Sequence, residues 1–138
     1  MQQKCILVVD DQAEVANVCR RALEKEGHQV LVACNSEEAM QHCRRDRPDL
    51  VIMDIVMPEM DGITALREII REDPAAKVVM CSALGQETLI AEAIEAGASE
   101  FIVKPFHPGR VLKVAQSVLG LDDQFHPVGR SGSSGALR

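Results

Sequence analysis

The stretch CILVVDDQ, residues 5–12, runs from a short apolar segment straight into two adjacent carboxylates. Aspartate is a poor strand residue, so Asp10 and Asp11 mark the place where a buried strand ends. Four more short apolar runs follow it: VLVAC (30–34), LVIM (50–53), VVMC (78–81) and FIV (101–103). Each is continuous rather than alternating, which is the pattern of parallel strands covered on both faces.

The segments between them carry helical spacing. Val15, Val18, Cys19, Ala22 and Leu23 form one apolar stripe, with Gly27 as a stop. Ser36 is placed as the N-cap of a second helix, with Ala39, Met40 and Cys43 inward. Ile63, Leu66, Ile69 and Ile70 define a third helix that must end before Pro74. Ile90, Ala93 and Ile94 define a fourth, closed by Gly97, and Val111, Val114, Ala115, Val118 and Leu119 a fifth, closed by Gly120. Five strand–helix units in strict alternation predict an α/β fold, a doubly wound five-stranded parallel sheet with five helices.

Composition narrows the rest. A chain of 138 residues is one domain's worth. With three Phe and no Tyr or Trp, its core must be aliphatic. The formal charge of −6 argues against a nucleic-acid-binding face, which needs basic residues. Five scattered cysteines without a CxxC pair fit a reduced protein rather than a disulfide scaffold or zinc site, and Cys5, Cys34 and Cys81 read as small hydrophobes within apolar runs. There is no signal-peptide pattern and no apolar run of membrane-spanning length, so a cytoplasmic location away from membranes is expected. From Leu121 onward the chain turns polar and Gly/Ser-rich, which divides it into a domain, 1–120, and a flexible tail or linker, 121–138.

In an open parallel sheet, ligands bind beyond the carboxyl ends of the strands. Asp10 and Asp11 follow the first strand, Asp54 the third, Ser82 the fourth and Lys104 the fifth. The alternation therefore brings three carboxylates, a hydroxyl and an ammonium to one edge. Carboxylates about 5 Å apart repel by roughly 3 kcal/mol at an effective dielectric near 20, so the cluster needs cations. Lys104 supplies one. An all-oxygen donor set without His or Cys favours Mg²⁺ over zinc. An aspartate can also be a nucleophile toward phosphorus, and Asp54, alone at the end of the central strand, is the expected acceptor, with Ser82 and Lys104 placed to contact phosphoryl oxygens.

The acidic pair, MDIVMPEMDG (53–62), CSA (81–83) and KPF (104–106) resemble, in order and spacing, the receiver domain of two-component response regulators over about residues 4–120. SALGQETLIAEAIEAGASEFIVKPFHPGRV (82–111) is similar to the stand-alone chemotaxis members of that family. The resemblance implies a flavodoxin-like strand order, 2-1-3-4-5. It implies phosphorylation of Asp54 by a histidine kinase, Mg²⁺ held by Asp10, Asp11, Asp54 and the Val56 carbonyl, and phosphate contacts from Lys104 and the Ala83 N–H. It further implies a switch formed by Ser82 and Phe101, a cis bond before Pro105, and an output face on the fourth helix, fifth strand and fifth helix that meets a downstream effector protein. Such a chain is a signalling acceptor and not an enzyme.

Two positions depart from a hydrolysis-prone site. Val56 and Leu84, each two residues beyond Asp54 and Ser82, cannot orient a water, so self-dephosphorylation should be slow and a separate phosphatase is an expected partner. Asp61–Gly62 reads as turn chemistry, and the four histidines take no part. Three alternatives are weaker. One is a receiver cut from a larger regulator. An Mg²⁺ phosphatase or phosphotransferase of the haloacid-dehalogenase type would want DxD on the first strand. A flavin mononucleotide carrier would want a hydroxyl- and Gly-rich loop where DDQAEV stands.

Overall fold

The computed structural model describes residues 3–57 and 61–121. Nearly all of the predicted tail and part of the loop after Asp54 lie outside them. Five strands, β1 (Cys5–Val9), β2 (Gln29–Ala33), β3 (Leu50–Asp54), β4 (Val78–Ala83) and β5 (Glu100–Lys104), pair in parallel in the order β2-β1-β3-β4-β5. Five helices, α1 (Ala13–Lys25), α2 (Ser36–Asp46), α3 (Gly62–Glu72), α4 (Glu87–Glu95) and α5 (Pro108–Leu119), alternate with them. The expected architecture and strand order are therefore the observed ones.

The continuous apolar runs are explained by what covers them. Strand side chains alternate between faces. Leu7, Val9, Val51, Met53, Val78 and Met80 meet Ala39 of α2, Leu66 of α3 and Ala93 of α4 on one side. Ile6, Val8, Ile52, Val79, Cys81 and Ile102 meet Cys19 and Leu23 of α1 and Val111 and Val114 of α5 on the other. Burying both faces leaves the polar ends of the strands as the places where charge can gather.

The helix stops are where sequence placed them. Gly27, Gly97 and Gly120 take positive φ, and α3 ends at Glu72, ahead of Pro74. Four local readings are corrected. The N-cap of α2 is Asn35, whose side chain accepts from the Glu38 N–H at 2.9 Å, and Ser36 is the first helical residue. Both residues are good caps; Glu38 reaching back to the Cys34 N–H at 2.7 Å fixes the choice by closing the turn around Asn35. Cys34 itself lies past the end of β2 and is exposed rather than a small core hydrophobe. On α1 the buried stripe is Ala16, Cys19, Ala22 and Leu23, while Val18 sits at its edge, 39 % exposed. On α4 only Ala93 is buried and Ile94 is exposed, so that helix rests on the sheet by a narrow contact.

Candidate functional site: an acidic cleft at the strand ends

β1, β3 and β5 deliver their terminal acid and base to one point. Asp54 and Lys104 are the last residues of their strands, not the first residues beyond, and Ser82 lies inside β4. This regularity helps: the ladder continues with Asp10 N–H to Ala33 O at 3.1 Å and Ile55 N–H to Cys81 O at 2.8 Å, which fixes the backbone beneath the charges. Lys104 Nζ donates to Asp10 Oδ2 at 3.0 Å and to Asp54 Oδ2 at 2.9 Å. The other oxygens are oriented by the backbone: Asp10 Oδ1 accepts from the Gln12 N–H at 2.9 Å, and Asp54 Oδ1 from the Val56 N–H at 3.3 Å.

Asp11 stands exposed beside this pair, and Asp10, Asp11 and Asp54 each offer an oxygen within 4.8 Å of the others. Three negative charges against one positive leave a formal balance of −2. At that spacing a pair of carboxylates repels by about 3 kcal/mol at an effective dielectric near 20, so one lysine shared between two of them leaves the third unpaid. The donor set fits a hard divalent cation: all oxygen, doubly negative once Lys104 is counted, and open on one side. That side is a cleft of about 370 Å³ lined by Asp11, Gln12, Asp54, Val56, Ala83, Gln86 and Lys104.

The titration behaviour follows from the same crowding. Burial raises the pKa of Asp54 above the usual carboxylate value, and the neighbouring Asp10 charge adds to it. The Lys104 hydrogen bond and charge, with the Val56 N–H, oppose this without cancelling it. Burial on its own would lower the Lys104 ammonium, but its bonds to Asp54 and Asp10 and their charges outweigh that, and its pKa is raised. The two directions agree physically: the Lys104 ammonium has two carboxylates beside it, while Asp54 shares that ammonium and faces a like-charged neighbour.

Ser82 is completely buried, and among the described residues its Oγ has no hydrogen-bond partner. Buried hydroxyls are mostly paired in folded proteins, and this one keeps a donor that no described protein group takes up. By strand alternation Ser82 follows Met80 onto the side covered by α2, α3 and α4. Phe101 pairs with Met80 in register, shares that side and is half-buried. The Lys104–Pro105 bond is cis, as the resemblance implied. Val56, which lines the cleft, is 47 % exposed, and Leu84, next to Ala83 of its lining, is 78 % exposed. Asp61 is confirmed in a local role, capping α3 through the Thr64 N–H at 2.7 Å.

Two participants were missed from sequence. Gln86 holds the Ala83 N–H with its Oε1 at 2.7 Å, and nothing in the string LGQE distinguishes it from a solvated loop residue. Gly62 lies against the backbone of Asp54 and Ile55. Its position after an N-capping Asp was the available signal, but the neighbour it touches is eight residues away.

A doubly wound sheet of this order with an acid–lysine cluster at its carboxyl edge is the plan of a phosphorelay receiver, and comparison with known proteins agrees. The response regulator receiver domain family matches residues 6–116, and the chain belongs to that family. Among curated relatives, the chemotaxis protein CheY of Thermotoga maritima is 46% identical over 83% of this chain and 97% of its own length. CheY of Bacillus subtilis is 48% identical over 83% of this chain and 96% of its own. The receiver domain of NtrX from Brucella abortus superposes with a TM-score of 0.81 at 35% identity, covering 83% of this chain and 98% of that one. The chain is thus a two-component response regulator receiver, similar in sequence to CheY proteins. No helix among the described residues is long and apolar enough to cross a membrane.

Proposed function

We propose that the chain takes a phosphoryl group from a histidine kinase onto Asp54, with Mg²⁺ held by Asp10, Asp11, Asp54 and the Val56 carbonyl, and passes the change to a protein effector. One observation carries this reading: Asp54 is fixed between Lys104 and the Val56 N–H at the floor of an open cleft, in a cluster of three acids and one lysine with a formal balance of −2. The bound ion would supply a Lewis acid against the phosphoryl oxygens and neutralise the acids around the acceptor.

The chain's own groups account for the rest. An Asp54 carboxylate oxygen attacks phosphorus as the bond from phosphorus to the donor nitrogen breaks, giving an aspartyl phosphate and a free histidine. Lys104 then exchanges its bond to Asp54 for one to a phosphoryl oxygen, where its charge is worth more. The Ala83 N–H and the unpartnered Ser82 Oγ offer the remaining donors. Ser82 moving toward the phosphoryl group frees space on the side it shares with Phe101, which biases a two-state element of β4, β5 and α4. In this reading the output face is α4, β5 and α5, the chain is a stoichiometric acceptor and not an enzyme, and it works in the cytoplasm on a protein rather than on nucleic acid. Its likeness to two CheY proteins at 46–48% identity supports a chemotaxis setting. Labelled phosphate on a histidine kinase should pass to this chain and fail to pass to Asp54→Ala; equal labelling of both would end the assignment.

Because Val56 and Leu84 offer no polar group to an attacking water, the aspartyl phosphate should be long-lived and depend on a separate phosphatase. Val56→Asn combined with Leu84→Gln is expected to speed hydrolysis by about ten-fold or more, the scale of positioning a water by polar groups. Decay of the adduct followed by mass after desalting reads this directly, and an unchanged half-life would contradict it.

A further inference from the structure

The Ala83 N–H, one of the donors a phosphoryl group on Asp54 would use, already has an acceptor. Gln86 Oε1 takes it at 2.7 Å. The contact is built by the loop between β4 and α4: Gly85 sits at φ +90, which folds the chain back so that residue 86 faces residue 83. Gln86 immediately precedes α4, yet its side chain makes no capping bond to that helix. It lines the cleft together with Asp54 and Lys104.

We propose that the Gln86 carboxamide is an internal stand-in for a phosphoryl oxygen on the Ala83 N–H, and that it must be displaced for the phosphorylated state to form. This rests on Asp54 being the acceptor. The Ala83 backbone amide has one hydrogen to give, and a charged phosphoryl oxygen is a stronger acceptor than Gln86 Oε1, so the exchange runs toward the phosphoryl group at the expense of one neutral hydrogen bond. Two consequences follow. Gln86 lowers the affinity of the cleft for a phosphoryl group, and its release acts on the residue that leads into α4, the helix with a single buried side chain. Gln86 is therefore a positioning residue that ties occupancy of the cleft to the start of α4.

The test is Mg²⁺-dependent binding of beryllofluoride, whose fluorides take the places of phosphoryl oxygens, by titration calorimetry. Gln86→Leu keeps the bulk and removes the acceptor, and should bind about five-fold tighter than the parent, the worth of one neutral hydrogen bond. Gln86→Glu puts a carboxylate on the same N–H and should bind at least five-fold weaker. Opposite shifts from one position would not arise from a general loosening of the loop. The Ala83 amide proton resonance gives the signature: it should differ between the parent and Gln86→Leu when free and coincide when beryllofluoride is bound. Unchanged or weakened binding by Gln86→Leu, or free-state Ala83 resonances that already coincide, would overturn the proposal while leaving Asp54 as acceptor. A parent that binds no beryllofluoride with Mg²⁺ present would overturn both.

Discussion

The Gly62→Ala protein is expected to unfold at a much lower urea concentration than the parent, with a loss of about 3 kcal/mol, at the upper end for overpacking. Gly62 opens α3, and its N–H donates to the Ile55 carbonyl at 2.6 Å. A methyl group there would run into the Asp54 carbonyl oxygen, and would lie 2.8 Å from the Ile55 oxygen and 2.9 Å from its Cα. All three are backbone atoms, so no side chain can rotate away; either α3 or the end of β3 must move. Since β3 ends on Asp54, phosphoryl uptake should fall as well. Asp61→Ala is the control: it removes only the cap on Thr64 and should cost about 1 kcal/mol. Two losses of equal size would mean that the close approach of α3 to β3 has been overstated.

Removing the cation from the cleft should be as damaging. Lys104→Met leaves Asp10 and Asp54, both largely buried, without the ammonium they share, and truncating one partner of such a group costs about 3 kcal/mol. The pH dependence has a definite sign. The raised pKa of Lys104 means its contribution is complete at neutral pH and would be lost only as pH climbs through that raised value. Asp54 is the opposite case. Its raised pKa means that ionising it near neutral pH works against the folded state, and that this burden lifts as pH falls. Losing Lys104 enlarges the burden, so the gap between variant and parent should be widest near pH 7 without divalent cations and narrow toward pH 4. Mg²⁺ should also narrow it, because a dication can take over the neutralisation. Urea melts at several pH values, with chelator and with Mg²⁺, measure this; a gap that does not change with either would mean that Lys104 acts through packing of its stem.

The architecture was legible in sequence because both faces of the sheet are covered. Continuous runs such as LVIM ending on Asp54 show both that a strand is buried and where it stops. The same property exposed the cleft, since the acids at the ends of buried β1 and β3 have no other place to go, and Lys104 ends β5 beside them. Caps and stripe edges were less legible. Asn35 and Ser36 are adjacent residues of equal aptitude, and only the reach of Glu38 back to Cys34 selects between them. Val18 has the right spacing for a core residue, but the packing of α1 favours Ala16 and Cys19. Gly62 and Gln86 illustrate a different limit. One matters through a backbone met only after the chain turns back, and the other through a single hydrogen bond across a three-residue loop. Neither leaves a periodic trace.

The most direct test is intact mass after incubation with acetyl phosphate, for the parent with Mg²⁺, the parent with chelator, and Asp54→Ala with Mg²⁺. One phosphoryl adduct on the parent with Mg²⁺, and little or none in the other two, is the predicted result. An adduct on Asp54→Ala, or one on the parent that forms as readily in chelator, would contradict an acidic cleft built to hold a magnesium ion and present Asp54 to phosphorus.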